Sequence, residues 1–131
     1  SFPTKIGKNC CISPLASIPA ENVIIGDNVT IEPMAVIKGR VVVGDNVVIR
    51  SGAVIGCKGF SFSKDEDGSN VSVVDTAKII LKDGVEIFEN VTISIGIFPW
   101  EETVIGENTK IDAQCHVGHG THTGKNCLRH L

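Results

Sequence analysis

Aliphatic residues fall at every sixth position of one long stretch: Ile25, Ile31, Ile37, Val43, Ile49 and Ile55. The small and polar residues between them recur too, as IGDNVT, IEPMAV, VGDNVV and IRSGAV. A helix would give an apolar period near 3.6, and a half-buried strand a period of 2. A period of six fits neither alone. It fits a brief strand and a corner, repeated, with one inward side chain per unit pointing into a shared core. Hexapeptide periods of this kind predict a solenoid of the parallel β-helix type.

The rest of the chain divides around that stretch. Ile6, Ile12 and Ile18 open the period, and one extra residue before Ile25 shifts its phase, as a bulged corner would. The period breaks after Ile55, and residues 57–78 do not fit it. Residues 64–70 are charged and contain glycine, with Phe60 and Phe62 before them and Val71, Val73 and Val74 after. That pattern predicts a hairpin-like loop carried outside the solenoid, and such insertions often belong to a binding face. The period resumes at Leu81, Ile87 and Ile93, and Ile105, Ile111 and Val117 keep its phase. Pro99 and Thr123 take aliphatic places, so residues 98–102 (FPWEE) are expected to bulge. Arg129 falls where an aliphatic is due, and the repeat is expected to end there. The expected domain is a single β-helix over residues 1–131, with the inserted loop at about 57–80.

The corners explain why the unit is six. The fourth place holds Asn9, Asn28, Asn46, Asn90, Asn108 and Asn126, or Gly52, Gly84, Gly96 and Gly120. Asn and Gly accept positive φ at low cost, which one corner of a type II turn requires. Three corners close a triangle, and coils stack at the interstrand spacing of roughly 4.8 Å. About six coils would make a prism roughly 30 Å long.

Composition narrows the picture. With 131 residues, one domain is the default. A content of 42% hydrophobic and 21% charged residues is too apolar for disorder. Five Phe and one Trp are few for a two-layer core but enough for a narrow aliphatic column. A net charge of -3, with no long run of one sign, gives no reason to expect nucleic-acid binding. Among the five cysteines, Cys10, Cys115 and Cys127 share the fifth place with Val29, Ala35, Val47 and Ala53, so they read as small interior residues. An odd, unpaired set suits a reducing compartment. No stretch approaches the length of a membrane span and no signal-peptide pattern opens the chain, so a soluble cytoplasmic protein is expected. The chain starts at Ser1 rather than Met, so a processed or trimmed start is expected.

The candidate chemistry lies in the histidines. Three of the four, His116, His119 and His122, crowd into QCHVGHGTH, and His130 follows. His116 and His122 are sixth-place residues. His119 is third-place, in or beside a corner, and points outward. An outward imidazole with a reference pKa of ~6.5 can take and return a proton near neutral pH. From spacing alone, a surface histidine without a role fits equally well.

Three segments carry a resemblance: VIGCKGFSF, KIILKDGVEIFENVTI and ETVIGENTKIDAQCHVGHGTHTGKNC. Together they resemble the UDP-3-O-acylglucosamine N-acyltransferases of lipid A synthesis, and IDAQCHVGH is the most specific part. The pair His116 and His119 also resembles the related O-acyltransferase that acts earlier in that pathway. The resemblance implies an all-β, single-stranded left-handed parallel β-helix, a hand that the usual right-handed crossover would not suggest. It implies His119 as the general base, accepting a proton from a sugar amine that attacks a thioester. Gln114, His116, Phe60 and Phe62 are the candidate substrate-binding residues. The implied partners are a nucleotide-sugar substrate and an acyl carrier protein or coenzyme A thioester. No bound cofactor or metal, nucleic acid or membrane span is expected. A homotrimer is implied, with exposed Phe98 and Trp100 in its favour.

The resemblance also has gaps. The family places an oxyanion donor on the coil after the base, and the residues after His119 fall short of one coil. The family's N-terminal domain, which helps hold uridine, is expected to be missing. Ser94 and Ile95 stand where the family has an acidic–basic pair. A shortened member or a fragment is the expectation. A non-catalytic assembly module and a sugar acetyltransferase using acetyl-coenzyme A remain open alternatives. Zinc, held as in the trimeric gamma-class carbonic anhydrases, is a weaker rival, since nothing upstream of His116 is a histidine.

Overall fold

The computed structural model describes residues 1–58, 63–64, 70–71, 77–96 and 98–129. Short strands, numbered in chain order, line three faces. The first face stacks β1 (Lys5–Ile6), β3 (Val23–Ile25), β6 (Arg40–Val43), β11 (Lys78–Leu81) and β14 (Glu102–Ile105). The second stacks β2 (Cys11–Ile12), β4 (Thr30–Ile31), β7 (Val48–Ile49), β12 (Glu86–Ile87), β15 (Lys110–Ile111) and β17 (Leu128–Arg129). The third stacks β5 (Val36–Ile37), β8 (Val54–Lys58), β13 (Thr92–Ile95) and β16 (His116–Val117). Every pairing within these faces is parallel. Successive strands of the chain step from face to face, so each triangle of strands is one coil.

The sixth-residue aliphatics set the register. Val43 pairs Ile25 below and Leu81 above, Ile49 pairs Ile31 and Ile87, and Ile55 pairs Ile37 and Ile93. Identical places therefore lie over one another, and the first-place and fifth-place side chains fill a single column. Ile31, Val47, Ile49, Ala53, Ile55, Val85, Ile87 and Ile111 are all at most 1% exposed. Thr109 takes a fifth place otherwise held by Val or Ala and is also buried. Its hydroxyl donates to the Gly124 carbonyl at 2.9 Å and accepts from the Cys127 N–H at 3.3 Å, so a buried polar atom costs little there.

The corners follow the fourth-place rule. All six fourth-place asparagines have φ between 56° and 60°. Five of them, all but Asn9 in the first coil, also donate the N–H to the coil below: Asn46 to the Asp27 carbonyl and Asn108 to the Asp83 carbonyl, both at 2.9 Å. The Asp before the Asn does further work. The Asp27 N–H donates to Asp45 Oδ1, and the Asp45 N–H to Asp83 Oδ1, each at 2.8 Å. The triplet GDN is thus a corner whose side chains and backbone tie successive coils together. The extra residue before Ile25 is absorbed at Asn22, which has φ 71°.

Two details depart from the residue-type rule. Met34 and Gln114 hold fourth places with φ of 70° and 64° although neither is Asn or Gly. Position in the count, and not residue type alone, imposes the left-handed corner. Gly96, expected to be such a corner, does not have positive φ. The pairing of β13 with β8 shifts register between Ile93 and Ser94, so the corner falls elsewhere. Glycine is needed there for closeness instead: a Cβ at Gly96 would lie 2.4 Å from Glu101 Cβ.

Between β8 and β11, β9 (Ser63–Lys64) and β10 (Asn70–Val71) pair antiparallel as a separate two-stranded sheet. The intervals Ile55 to Leu81 and Ile93 to Ile105 are both longer than six. Both begin at the end of the third face and finish on the first, so both enlargements occupy the same edge of the prism. No helix of the described residues is long and apolar enough to cross a membrane.

Candidate functional site

That enlarged edge is where His119 sits. Cys115 and Val117 are buried in the column and turn His116 outward from β16. The chain then rounds the corner at Gly118 to Thr121, with Gly120 at φ 69°. The corner is pinned from below. Thr103, fully buried, accepts the Gly120 N–H at 2.9 Å and donates its hydroxyl to the Ser94 carbonyl at 3.1 Å. The Thr121 hydroxyl closes the corner on the Gly118 carbonyl at 2.7 Å.

His119 projects from this pinned corner with its side chain 39% exposed. Its Nδ1 lies 3.0 Å from Glu101 Oε2. An ionised carboxylate only accepts hydrogen bonds, so Nδ1 carries the proton. Nε2 is then the basic nitrogen. Glu101 is only 15% exposed in its side chain, and its other oxygen accepts the Phe98 N–H at 3.3 Å. The carboxylate is therefore held by the FPWEE turn and in turn fixes the imidazole. This is a geometry a general base can use: one nitrogen oriented by an acid, on a side chain that solvent reaches.

The other named residues lie elsewhere. His116 runs along the third face, with Nδ1 at 2.7 Å from Thr92 Oγ1 and Nε2 at 3.4 Å from Ser94 Oγ. The Ser94 hydroxyl is itself 3.6 Å from Cys57 Sγ. Both ring nitrogens of His116 are thus engaged with hydroxyls, whereas His119 is engaged with a carboxylate. His122 uses Nε2 to donate to the Glu102 carbonyl at 2.8 Å, a tie along the first face. Gln114 is exposed and occupies the corner between the second and third faces, where its N–H donates to the Glu89 carbonyl at 3.0 Å. It does not share the edge of His119. Phe60, Phe62 and His130 lie outside the described residues. Among the described residues, no group of three or more His, Cys, Asp or Glu is placed to hold a metal ion.

Glu101 was not among the residues singled out from the sequence. It sits in the enlarged interval, where counting forward from Ile93 loses phase. Counting backward restores it: Glu101 precedes Ile105 by the same step that His119 precedes Thr123. The two are one coil apart.

Comparison with known proteins agrees with this architecture. Residues 22–57 match the bacterial transferase hexapeptide (six repeats) family. The UDP-3-O-acylglucosamine N-acyltransferase of Sinorhizobium fredii is 36% identical over 121 residues, which cover 92% of this chain and 28% of that protein. The enzyme of the same name from Coxiella burnetii is 34% identical over 143 residues, covering 91% of this chain and 41% of that protein. The chain thus spans less than half the length of these curated relatives. The crystal structure of Arabidopsis UDP-N-acetylglucosamine acyltransferase superposes with a TM-score of 0.60 at 22% identity, over 95% of this chain and 52% of that one. The chain is a hexapeptide-repeat protein of the left-handed parallel β-helix fold, similar along nine-tenths of its length to the UDP-3-O-acylglucosamine N-acyltransferases.

Proposed function

We propose that the chain is the β-helix part of an acyltransferase that moves an acyl group from a thioester donor to the amino group of a nucleotide-linked sugar. The observation that carries this reading is the exposed His119 held through Nδ1 by Glu101. In the reaction, Nε2 of His119 accepts a proton as the sugar amine attacks the thioester carbonyl. The C–N bond forms, the tetrahedral oxyanion is held by an N–H donor, and the C–S bond breaks. The imidazolium then returns its proton to the departing sulfur. General base catalysis of this kind supplies on the order of 10²–10⁴-fold.

The reading extends to its surroundings. The donor is an acyl carrier protein or coenzyme A thioester, and His116, Gln114, Phe60 and Phe62 contribute to substrate binding. Residues 1–131 act as one β-helix domain with the loop at about 57–80 set to one side. The working form is a cytoplasmic homotrimer with clefts between subunits; sedimentation at micromolar concentration checks the trimer, and a monomer contradicts it.

The decisive experiment compares acyl transfer to a nucleotide-linked amino sugar by the wild type and by His119→Ala. A loss of about 10²–10⁴-fold in kcat is expected. Equal rates would remove His119 as the base. A wild type inactive with every thioester would leave the chain a non-catalytic assembly module.

A further inference from the structure

The enlarged edge carries two aromatic rings that the acyl-transfer chemistry does not use. Phe98 and Trp100 stack with centroids 4.9 Å apart and planes only 9° from parallel. Phe98 is 48% and Trp100 75% exposed. The turn that bears them is closed by the Glu101 N–H donating to the Phe98 carbonyl at 3.0 Å. The same turn holds Glu101 against His119. The ring pair is therefore coupled to the candidate base through one side chain.

We infer that the Phe98–Trp100 pair is a stacking platform for the planar base of a nucleotide bound beside His119. Three observations favour this occupant. First, near-coplanar rings present a flat π surface, which matches another plane; an acyl chain would want a concave groove. Second, the patch is isolated. The other exposed large hydrophobics among the described residues, Ile6, Leu15, Ile24, Met34 and Leu128, belong to the first two coils or to the last strand. Two rings flanked by Glu101 and Glu102 make a small surface for a protein partner. Third, Phe98 fixes the plane of Trp100 in advance, so an incoming ring loses less entropy on binding. Lys58 adds a cation to this edge: it is exposed and pairs in register with Ile95, three residues before Phe98.

The identity of the ligand rests on the proposed acyltransferase reading, which supplies two nucleotides. The base is that of the sugar nucleotide or the adenine of coenzyme A. The two share the same stacking chemistry, and the experiment separates them.

Trp100 is the chain's single Trp, so its fluorescence reports this turn alone. The wild type is titrated with uridine diphosphate, with coenzyme A, and with pyrophosphate and ribose 5-phosphate as controls lacking a base. Saturable quenching, corrected for absorbance, is expected from uridine diphosphate if the sugar nucleotide stacks there, and from coenzyme A if the donor does. The controls should leave emission unchanged. Loss of one aromatic partner should weaken binding roughly tenfold, read by calorimetry for Trp100→Leu and by quenching for Phe98→Leu. His119→Ala should slow acyl transfer by about 10²–10⁴-fold yet quench as the wild type does. Absence of quenching by either nucleotide, or equal quenching by the controls, would overturn the platform. So would emission that shifts with protein concentration and is restored by dilution, which marks a second copy covering the rings. Quenching without transfer by the wild type would keep the platform and sink the acyltransferase reading. Transfer with unchanged KM in Trp100→Leu would do the reverse.

Discussion

Glu101 and His119 lie one coil apart on the same edge of the prism, with the carboxylate 3.0 Å from Nδ1 of the ring. Neither residue belongs to a regular strand interior: Glu101 closes the turn before β14, and His119 rounds the corner after β16. What aligns them is the stacking of coils, which places equal steps of the count over one another.

That relationship makes Glu101→Gln a test of orientation. The amide is nearly the same shape but can present either a donor or an acceptor to the ring. The tautomer with a free Nε2 loses its preference. In the proposed reaction kcat is expected to fall at least about tenfold, and by no more than the 10²–10⁴-fold a base supplies, with KM little changed. Steady-state kinetics on both variants would show whether Glu101 acts through His119: in a His119→Ala background the Glu101→Gln change should have no further effect on kcat.

Thr103 links three segments under the corner, through the Ser94 carbonyl and the Gly120 N–H. Thr103→Val keeps the shape and removes both bonds. The carbonyl of buried Ser94 would lose a partner, costing about 1–3 kcal/mol, whereas the N–H of exposed Gly120 can turn to water. A lower midpoint in urea with an unchanged slope is the expected result, and unchanged stability would show that the backbone finds other partners.

Asn46 tests the corner rule. At φ 59° an Ala would carry its Cβ into the left-handed region, costing about 1–2 kcal/mol. Asn46→Gly relieves that strain and should be much milder. Thermal midpoints of the two variants decide the matter, and equal losses from both would point to the side chain rather than to the backbone.

Ile49 tests the column. It is fully buried between Ile31 and Ile87. Ile49→Ala should cost about 2–5 kcal/mol, because rigid coils on both sides limit collapse into the gap. Chemical denaturation reads this directly. A cost near that of a surface change would contradict a close-packed column.

The brief strands, the triangular section and the core were legible because each depends only on the six-residue step. Ile31, Ile49 and Ile111 point inward wherever the step is kept. Of the candidate site, one half was legible. His119 follows from an unbroken count, and its outward aspect from being third-place. Glu101 was hidden because the interval from Ile93 to Ile105 contains a bulge, and a bulge moves no residue type that a pattern can register. The partners of His116 were hidden for the same reason: Thr92 and Ser94 sit across that enlarged interval. Met34 and Gln114 mark the opposite limit. A corner set by its neighbours above and below can force a side chain into a conformation its own chemistry does not prefer.

The lengthening of the chain along a single edge has a practical meaning. The other two edges run without interruption, like rails, and they carry the register on their own. Segments of different length and character can then be exchanged at the third edge without unseating the coils, which gives protein engineers a fixed address for altering selectivity: the stretch after Lys58 and the FPWEE turn, grafted singly or as a pair.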